Sequence, residues 1–176
     1  ERGGPGPSAF QLEDFHMAMD LFIQIDTWIG ESEDKQFTQW VDVLAWSWGG
    51  SQSGTASMGG GMGGGKVNMQ NFSFTKFTDI LSPKLWQHLC KGTHIPEIKF
   101  RARKAGGTPF VYLEMDFSDC IVTGVSTGGS GGEDRTTENV TFDYKQYKLK
   151  YYKQGTSGES DGDDEVTYNI ATNEAS

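Results

Sequence analysis

Cysteine is scarce in this chain, with Cys90 and Cys120 the only two. Two thiols are too few for the disulfide framework of a small secreted domain, so free thiols are the expectation. No run approaches the roughly 18 apolar residues that a membrane-spanning helix needs, and no secretory signal pattern is present. The chain is therefore expected to be made as a soluble cytoplasmic protein without membrane insertion. A basic excess is missing too. The formal net charge is -9, with acids concentrated at both ends, and residues 17–153 carry 14 bases against 15 acids. A body that close to neutral lacks the positive surface that phosphate backbones require, which argues against nucleic-acid binding. Apolar residues are also few, at 35%.

Glycine and aromatic rings are what the chain has instead. There are 24 glycines, and Phe, Trp and Tyr make up 12% of 176 residues. That length suits one domain with a single core. The composition suggests a core of large rings, with glycine reserved for loops and close backbone approach.

Residues 1–16 (ERGGPGPSAFQLEDFH) differ in character from the rest of the chain and read as a vector-derived leader, although Phe10, Leu12 and Phe15 could dock on an apolar groove. Alternation of Met19, Leu21, Ile23 and Ile25 predicts a first strand over 19–25. A second strand is expected over 41–48, with Leu44, Trp46 and Trp48 on one face and Val41, Val43, Ala45 and Ser47 on the other. The second face ends small and polar, so Ala45 and Ser47 are either an ordinary solvent-facing edge or the lining of a smooth surface over which something passes.

Residues 49–65 hold nine glycines, with Met58 and Met62 as the only large apolar side chains. Residues 60–66 (GGMGGGK) match the spacing of a phosphate-binding loop. The next residue is Val67 rather than Ser or Thr, and an alternating strand pattern comes where a helix should begin, so nucleotide binding is rejected. A methionine-tipped glycine arm lying on a neighbour fits better, Lys66 closing its base, because methionine packs well on irregular surfaces. Val67 and Met69 then share a phase that Phe72 and Phe74 do not, which predicts a bulge near Gln70 and Asn71.

One helix is predicted after that. Ser82 is its expected cap, Pro83 its first residue, Leu85, Trp86, Leu89 and Cys90 its apolar stripe, and Gly92 its end. Leu81 would staple onto Trp86. His88, Cys90, His94 and Cys120 could suggest a metal, but residues two apart on a helix point about 200° apart, so Cys90 is assigned to the core. Ile98, Phe100 and Ala102 alternate with Glu97, Lys99, Arg101 and Arg103. Val111, Leu113, Met115 and Phe117 alternate with Tyr112, Glu114 and Asp116. The two runs make a hairpin with a salt-bridged, solvated face.

The stretch 126–152 joins a glycine loop to the charged residues Glu133, Asp134, Arg135 and Glu138, then to a long alternating run. Val140, Phe142 and Tyr144 share one phase and Tyr147, Leu149 and Tyr151 the other, so a bulge is expected at Lys145 or Gln146, splitting one strand between two sheets. Residues 154–165 read as a flexible acidic loop and 166–170 as a short edge strand. The tally of seven or eight strands and one helix predicts an all-β barrel or two-sheet sandwich. No catalytic, cofactor or metal constellation emerges.

Several of these stretches, in the same order, resemble the Hcp family, the haemolysin-coregulated tube proteins of bacterial type VI secretion. They are MAMDLFIQI at 17–25, DVLAWSWG at 42–49, the Met/Gly arm ending in Gly65-Lys66-Val67, FSFTKFTD at 72–79, RKAGG at 103–107 and STGGSGGEDRTTENVTF at 126–142. The resemblance implies a tail-tube-like β-barrel domain over 17–171, followed by a tail at 172–176. It also implies homohexameric rings that stack into a tube, with effector proteins carried in the lumen and a tip spike (VgrG) and contractile sheath as partners. On this reading the protein waits in the bacterial cytoplasm and is secreted when the tube is fired. Ala45 and Ser47 become lumen-lining candidates. Met58, Met62, Lys66, Glu133, Asp134, Arg135 and Glu138 become assembly candidates. A specialised secreted effector, for which only about 25 residues follow Lys150, and a ligand-binding β-barrel are the alternatives.

Overall fold

The computed structural model describes residues 19–53, 66–105, 108–156 and 158–176. Met58, Met62, the leader and the Gly106-Gly107 turn lie outside them. Strand β1 (Met19–Ile25) pairs antiparallel with β7 (His94–Lys104) along its whole length and with β2 (Val41–Asp42) on its other edge. Strand β3 (Ala45–Ser47) pairs with β6 (Phe72–Phe77), and β6 pairs in turn with β9 (Thr137–Asp143). Between β3 and β6, β4 (Gly50–Ser51) and β5 (Asn68–Met69) form a separate two-stranded ladder. Helix α1 (Ser82–Lys91) links β6 to β7.

The longest strand, β8 (Phe110–Gly128), organises the rest. Its first half pairs with β7 and with β10 (Gln146–Gln154), and its second half pairs with β9. The change of partner falls at Asp119, held at a positive φ of 56°. Opposite it the chain leaves β9 at Tyr144 and Lys145, where the Lys145 amide donates to the Ser118 carbonyl at 3.1 Å. The expected phase slip is therefore present, and it lets one long hairpin serve two sheets. Strand β11 (Ser160–Asn169) extends the first sheet beyond β10, and β12 (Glu174–Ala175) pairs with its end, so residues at 172–176 return to the sheet.

A second change of partner closes the barrel. The Val43 amide donates to Leu21 on β1 at 2.9 Å, and the next amide, Leu44, donates to Thr75 on β6 at 2.7 Å. The predicted single strand over 41–48 is thus two strands with a slipped pleat. Val41 and Val43 are buried, Leu44 is 46% exposed, and Trp46 and Trp48 turn inward to pack on the core. The face assignment made from alternation fails for Leu44 and also for the grouping of Val41 and Val43 with Ala45 and Ser47, since the valines are buried and Ala45 and Ser47 exposed; alternation holds only while the pairing partner stays the same.

Rings fill the interior. Phe72 lies 5.3 Å from Phe100, 5.0 Å from Phe117 and 5.2 Å from Phe142 between ring centroids, and Trp46 stacks over it. Each such pair adds roughly 0.5–1.5 kcal/mol beyond simple burial.

Three further expectations are corrected. Ser82 is the first helical residue and does not cap; Leu81 is the N-cap residue, and the Ser82 hydroxyl is taken by the buried ions Lys76 and Glu138. Cys90 is exposed rather than core, as is Trp86, whereas Leu85 points inward. Residues 160–165 are strand, not flexible loop. Their acids face the lysines of β10, with Lys150 to Asp163 at 2.8 Å, Lys148 to Glu165 at 3.0 Å and Lys153 to Asp161 at 2.9 Å. Gly92 does end the helix, in the left-handed region at φ 60°.

Candidate assembly surfaces

Ala45 and Ser47 belong to a broad uncharged face. Strand register places Ala45 beside Thr75, Thr75 beside Asn139 and Asn139 beside Ser126. The neighbouring row runs Ser47, Ser73, Thr141, Gly124. Directly paired residues share a face, so eight small polar or compact residues tile four strands without a charge. Hydroxyls and amides satisfy each other across it: Ser73 Oγ donates to Asn139 Oδ1 at 3.1 Å, and Asn139 Nδ2 to Thr75 Oγ1 at 3.3 Å. Gly124 is required for this flatness, since a Cβ there would meet Thr141 Oγ1 at 2.5 Å. The alternate residues, Trp46, Phe74, Val140 and Val125, face the core. Chemically, such a face can slide against or hydrogen-bond many partners but holds none by charge.

The base of the glycine arm is anchored at Tyr144. Its hydroxyl accepts from Trp48 Nε1 and donates to the Gln70 carbonyl at 3.1 Å, and burial pushes its pKa up to about 12. Trp48 and Gln70 flank the β4–β5 ladder, so the strand break at Tyr144 also holds that ladder. Lys66 is exposed beside it.

The charged loop divides into two parts. Residues 129–136 connect β8 to β9. Glu133 closes a turn through Ser130, Asp134 is exposed, and the Arg135 guanidinium lies 4.5 Å over the Phe77 ring. Arg135 also lines a cleft of about 80 Å3 with Glu31, Asp42 and Asp79. Glu138, however, is not in the loop. It lies on β9 with 2% of its side chain exposed, 3.0 Å from Lys76 Nζ, and it accepts from Ser82 Oγ at 2.6 Å and Thr127 Oγ1 at 3.1 Å. Lys76 is fully buried and donates also to Asp79 Oδ1 at 2.7 Å, Ser82 Oγ at 3.1 Å and the Phe77 carbonyl at 3.0 Å. Every charge here has partners, so the cluster fastens the end of β6, the start of α1 and β9 together. Lys76 was missed in the sequence, although it shares the inward phase of Phe72 and Phe74.

Arg103 was read as part of a solvated face and is instead 7% exposed. The 30–40 loop folds over it: Phe37 stacks on Phe22 at 4.5 Å, and Asp34 and Asp20 accept from the guanidinium. The Arg103 hydrogen bond holds the Asp34 carboxyl down at about 2. Arg101 behaves as expected, meeting Asp116 at 2.7 Å and Glu114 at 3.6 Å across the hairpin. Among the described residues no group of three His, Cys, Asp or Glu side chains forms a metal site, and no helix is long and apolar enough to cross a membrane.

A family model described as type VI secretion system effector, Hcp, matches residues 22–151. The chain belongs to the Hcp family. Protein hcp1 of Pseudomonas aeruginosa is 51% identical over 147 residues, covering 83% of this chain and 91% of that protein. Among solved structures, a type six secretion system protein superposes with a TM-score of 0.85 at 28% identity, covering 90% of this chain and all of that one. Hcp1 of Salmonella typhimurium superposes with a TM-score of 0.74 at 30% identity, covering 91% and 100%. Hcp membership accounts for the bent strands and the single flanking helix, and makes this a type VI secretion protein.

Proposed function

We propose that this Hcp protein is the structural subunit of a type VI inner tube, forming homohexameric rings that stack and carry effector proteins. The uncharged face tiled by Ala45, Ser47, Ser73, Thr75, Asn139 and Thr141 carries this reading. A tube wall must let cargo of any charge move along it, and a fixed charge would hold some cargoes and repel others. This face also spans four strands whose outermost members, β3 and residues 122–128 of β8, have no second strand partner among the described residues. Ring closure would pair such edges between copies and so protect them. The arm bearing Met58, Met62 and Lys66, and the loop bearing Glu133, Asp134 and Arg135, are assigned to contacts between subunits or rings. Glu138 acts from inside, through Lys76, on the position of that loop. The tip spike, the sheath and secreted effectors are the further partners, and the cytoplasm followed by export is the route.

Replacing Ser47 with arginine tests the lumen assignment. Rings should form as before while co-purification of effector falls. Rings that dissociate around an intact fold would instead place Ser47 at a subunit contact.

A further inference from the structure

We infer that Thr123 and Thr127 are positioning residues for ring closure: their hydroxyls hold the outer edge of β8 in the shape that a strand of the adjoining copy must meet. This rests on the proposed ring, in which such edges pair between copies. Residues 122–128 of β8 pair with β9 on one side and with no strand on the other among the described residues. Gly124 and Gly128 fall within this segment and Gly129 follows it, so its backbone is freer than that of a strand built from branched residues. An outer edge of that composition keeps its shape only if side chains fix it.

A threonine fastens each end of the segment. Thr123 is the extra residue of a bulge, since Val122 pairs with Phe142 and Gly124 with Thr141. A bulge residue drops out of the ladder, and here its side chain takes over the fastening. Asn71 Nδ2 donates to Thr123 Oγ1 at 2.8 Å, and Thr123 Oγ1 donates to Thr141 Oγ1 at 3.2 Å. Asn71 follows Gln70, whose carbonyl accepts from the Tyr144 hydroxyl, so this end of the edge is tied to the foot of the β4–β5 ladder. At the other end Thr127 Oγ1 donates to Glu138 Oε1 at 3.1 Å. Glu138 is itself fixed, because its other oxygen accepts from Ser82 Oγ at 2.6 Å and lies 3.0 Å from the buried Lys76 Nζ. A carboxylate acceptor makes this the stronger of the two fastenings.

Both threonines are exposed, so they add little to the core. Valine has the same shape and favours strands about as well. A merely structural Thr123 would therefore tolerate valine. Holding an edge in its paired shape before the partner arrives lowers the ordering cost of association, so loss of the hydroxyl should be felt in assembly.

The test compares Thr123→Val and Thr127→Val with the matching serine variants, by sedimentation and by unfolding of the dissociated chain. Thr123→Val should keep the wild-type unfolding midpoint yet raise the concentration at which rings dissociate by about ten-fold. Its amides at 124–126 should exchange faster than in wild type. Thr123→Ser, which keeps the hydroxyl, should restore both properties. Thr127→Val should weaken rings at least as much, with some loss of stability because Glu138 Oε1 loses its donor, and Thr127→Ser should recover. Rings of wild-type strength in both valine variants, or serine variants no better than valine, would overturn the role of the hydroxyls while sparing the ring. A wild-type chain that sediments as a monomer would overturn the ring and this inference together.

Discussion

Lys76 Nζ lies 3.0 Å from Glu138 Oε2 with both side chains sealed from solvent, although one residue sits on β6 and the other on β9. Between them they fix where α1 starts and where the loop carrying Arg135 leaves the barrel. Removing Lys76 would strand the buried carboxylates of Glu138 and Asp79, which typically costs about 3–5 kcal/mol, whereas removing the Glu138 charge leaves Lys76 paired with Asp79. Lys76→Met should lower unfolding free energy by about 3–5 kcal/mol in denaturant titrations, and Glu138→Gln by less. The double variant Lys76→Met with Glu138→Leu should lose less than the sum, because only Asp79 is then left without its ion partner.

The Arg103–Asp34 contact predicts a pH dependence with a definite sign. The folded-state pKa of Asp34 is depressed from 3.8 to about 2. Its stabilisation is therefore present above 3.8 and disappears as pH falls through 3.8 toward 2. The stability gap between wild type and Asp34→Asn should be flat near neutrality and close across that acidic window. A gap that persists at about pH 2 would assign the effect to packing of the 30–40 loop instead.

The two thiols should behave differently. Burial pushes the Cys120 pKa up to about 12, and its side chain is inaccessible, so it should resist alkylation until the chain unfolds. Cys90 is exposed and should react readily in the folded chain. Mass spectrometry after timed labelling reads both sites in one sample. Early modification of Cys120 would contradict the packing around β8.

Much of the architecture was legible because the strands announce themselves by period two. Strand β1, the break at Gln70 and Asn71, and the partner switch after Tyr144 all follow from phase. What escaped was whatever depends on the partner across the sheet. Leu44 left its expected face because the chain changes neighbours there. The acids of β11 read as a flexible loop because their lysine counterparts lie on another strand, β10, with Lys150 meeting Asp163 and Lys148 meeting Glu165. Lys76 in a row of phenylalanines was a visible signal, since a lysine in core phase requires a buried acid, but nothing local identified Glu138 as that acid. Of the assembly residues, alternation placed Ala45 and Ser47 on an exposed strand face; it could not show that Ser73, Thr75, Asn139 and Thr141 extend that face.

The β10–β11 ladder should be sensitive to salt. Its ion pairs are largely exposed, so raising ionic strength toward about 1 M should screen them. Hydrogen exchange of residues 160–165 should be slow at low salt relative to residues 129–134 and should quicken as salt rises. Equal, fast exchange in both segments at low salt would return the acidic stretch to a loop.

The central claim is that this barrel is one unit of a ring. Analytical ultracentrifugation of the purified chain measures that most directly. A single species at six times the 19.4 kDa of one chain, appearing in electron micrographs as a ring with an open centre, is the predicted result. A monomer at concentrations where the fold is intact would contradict it.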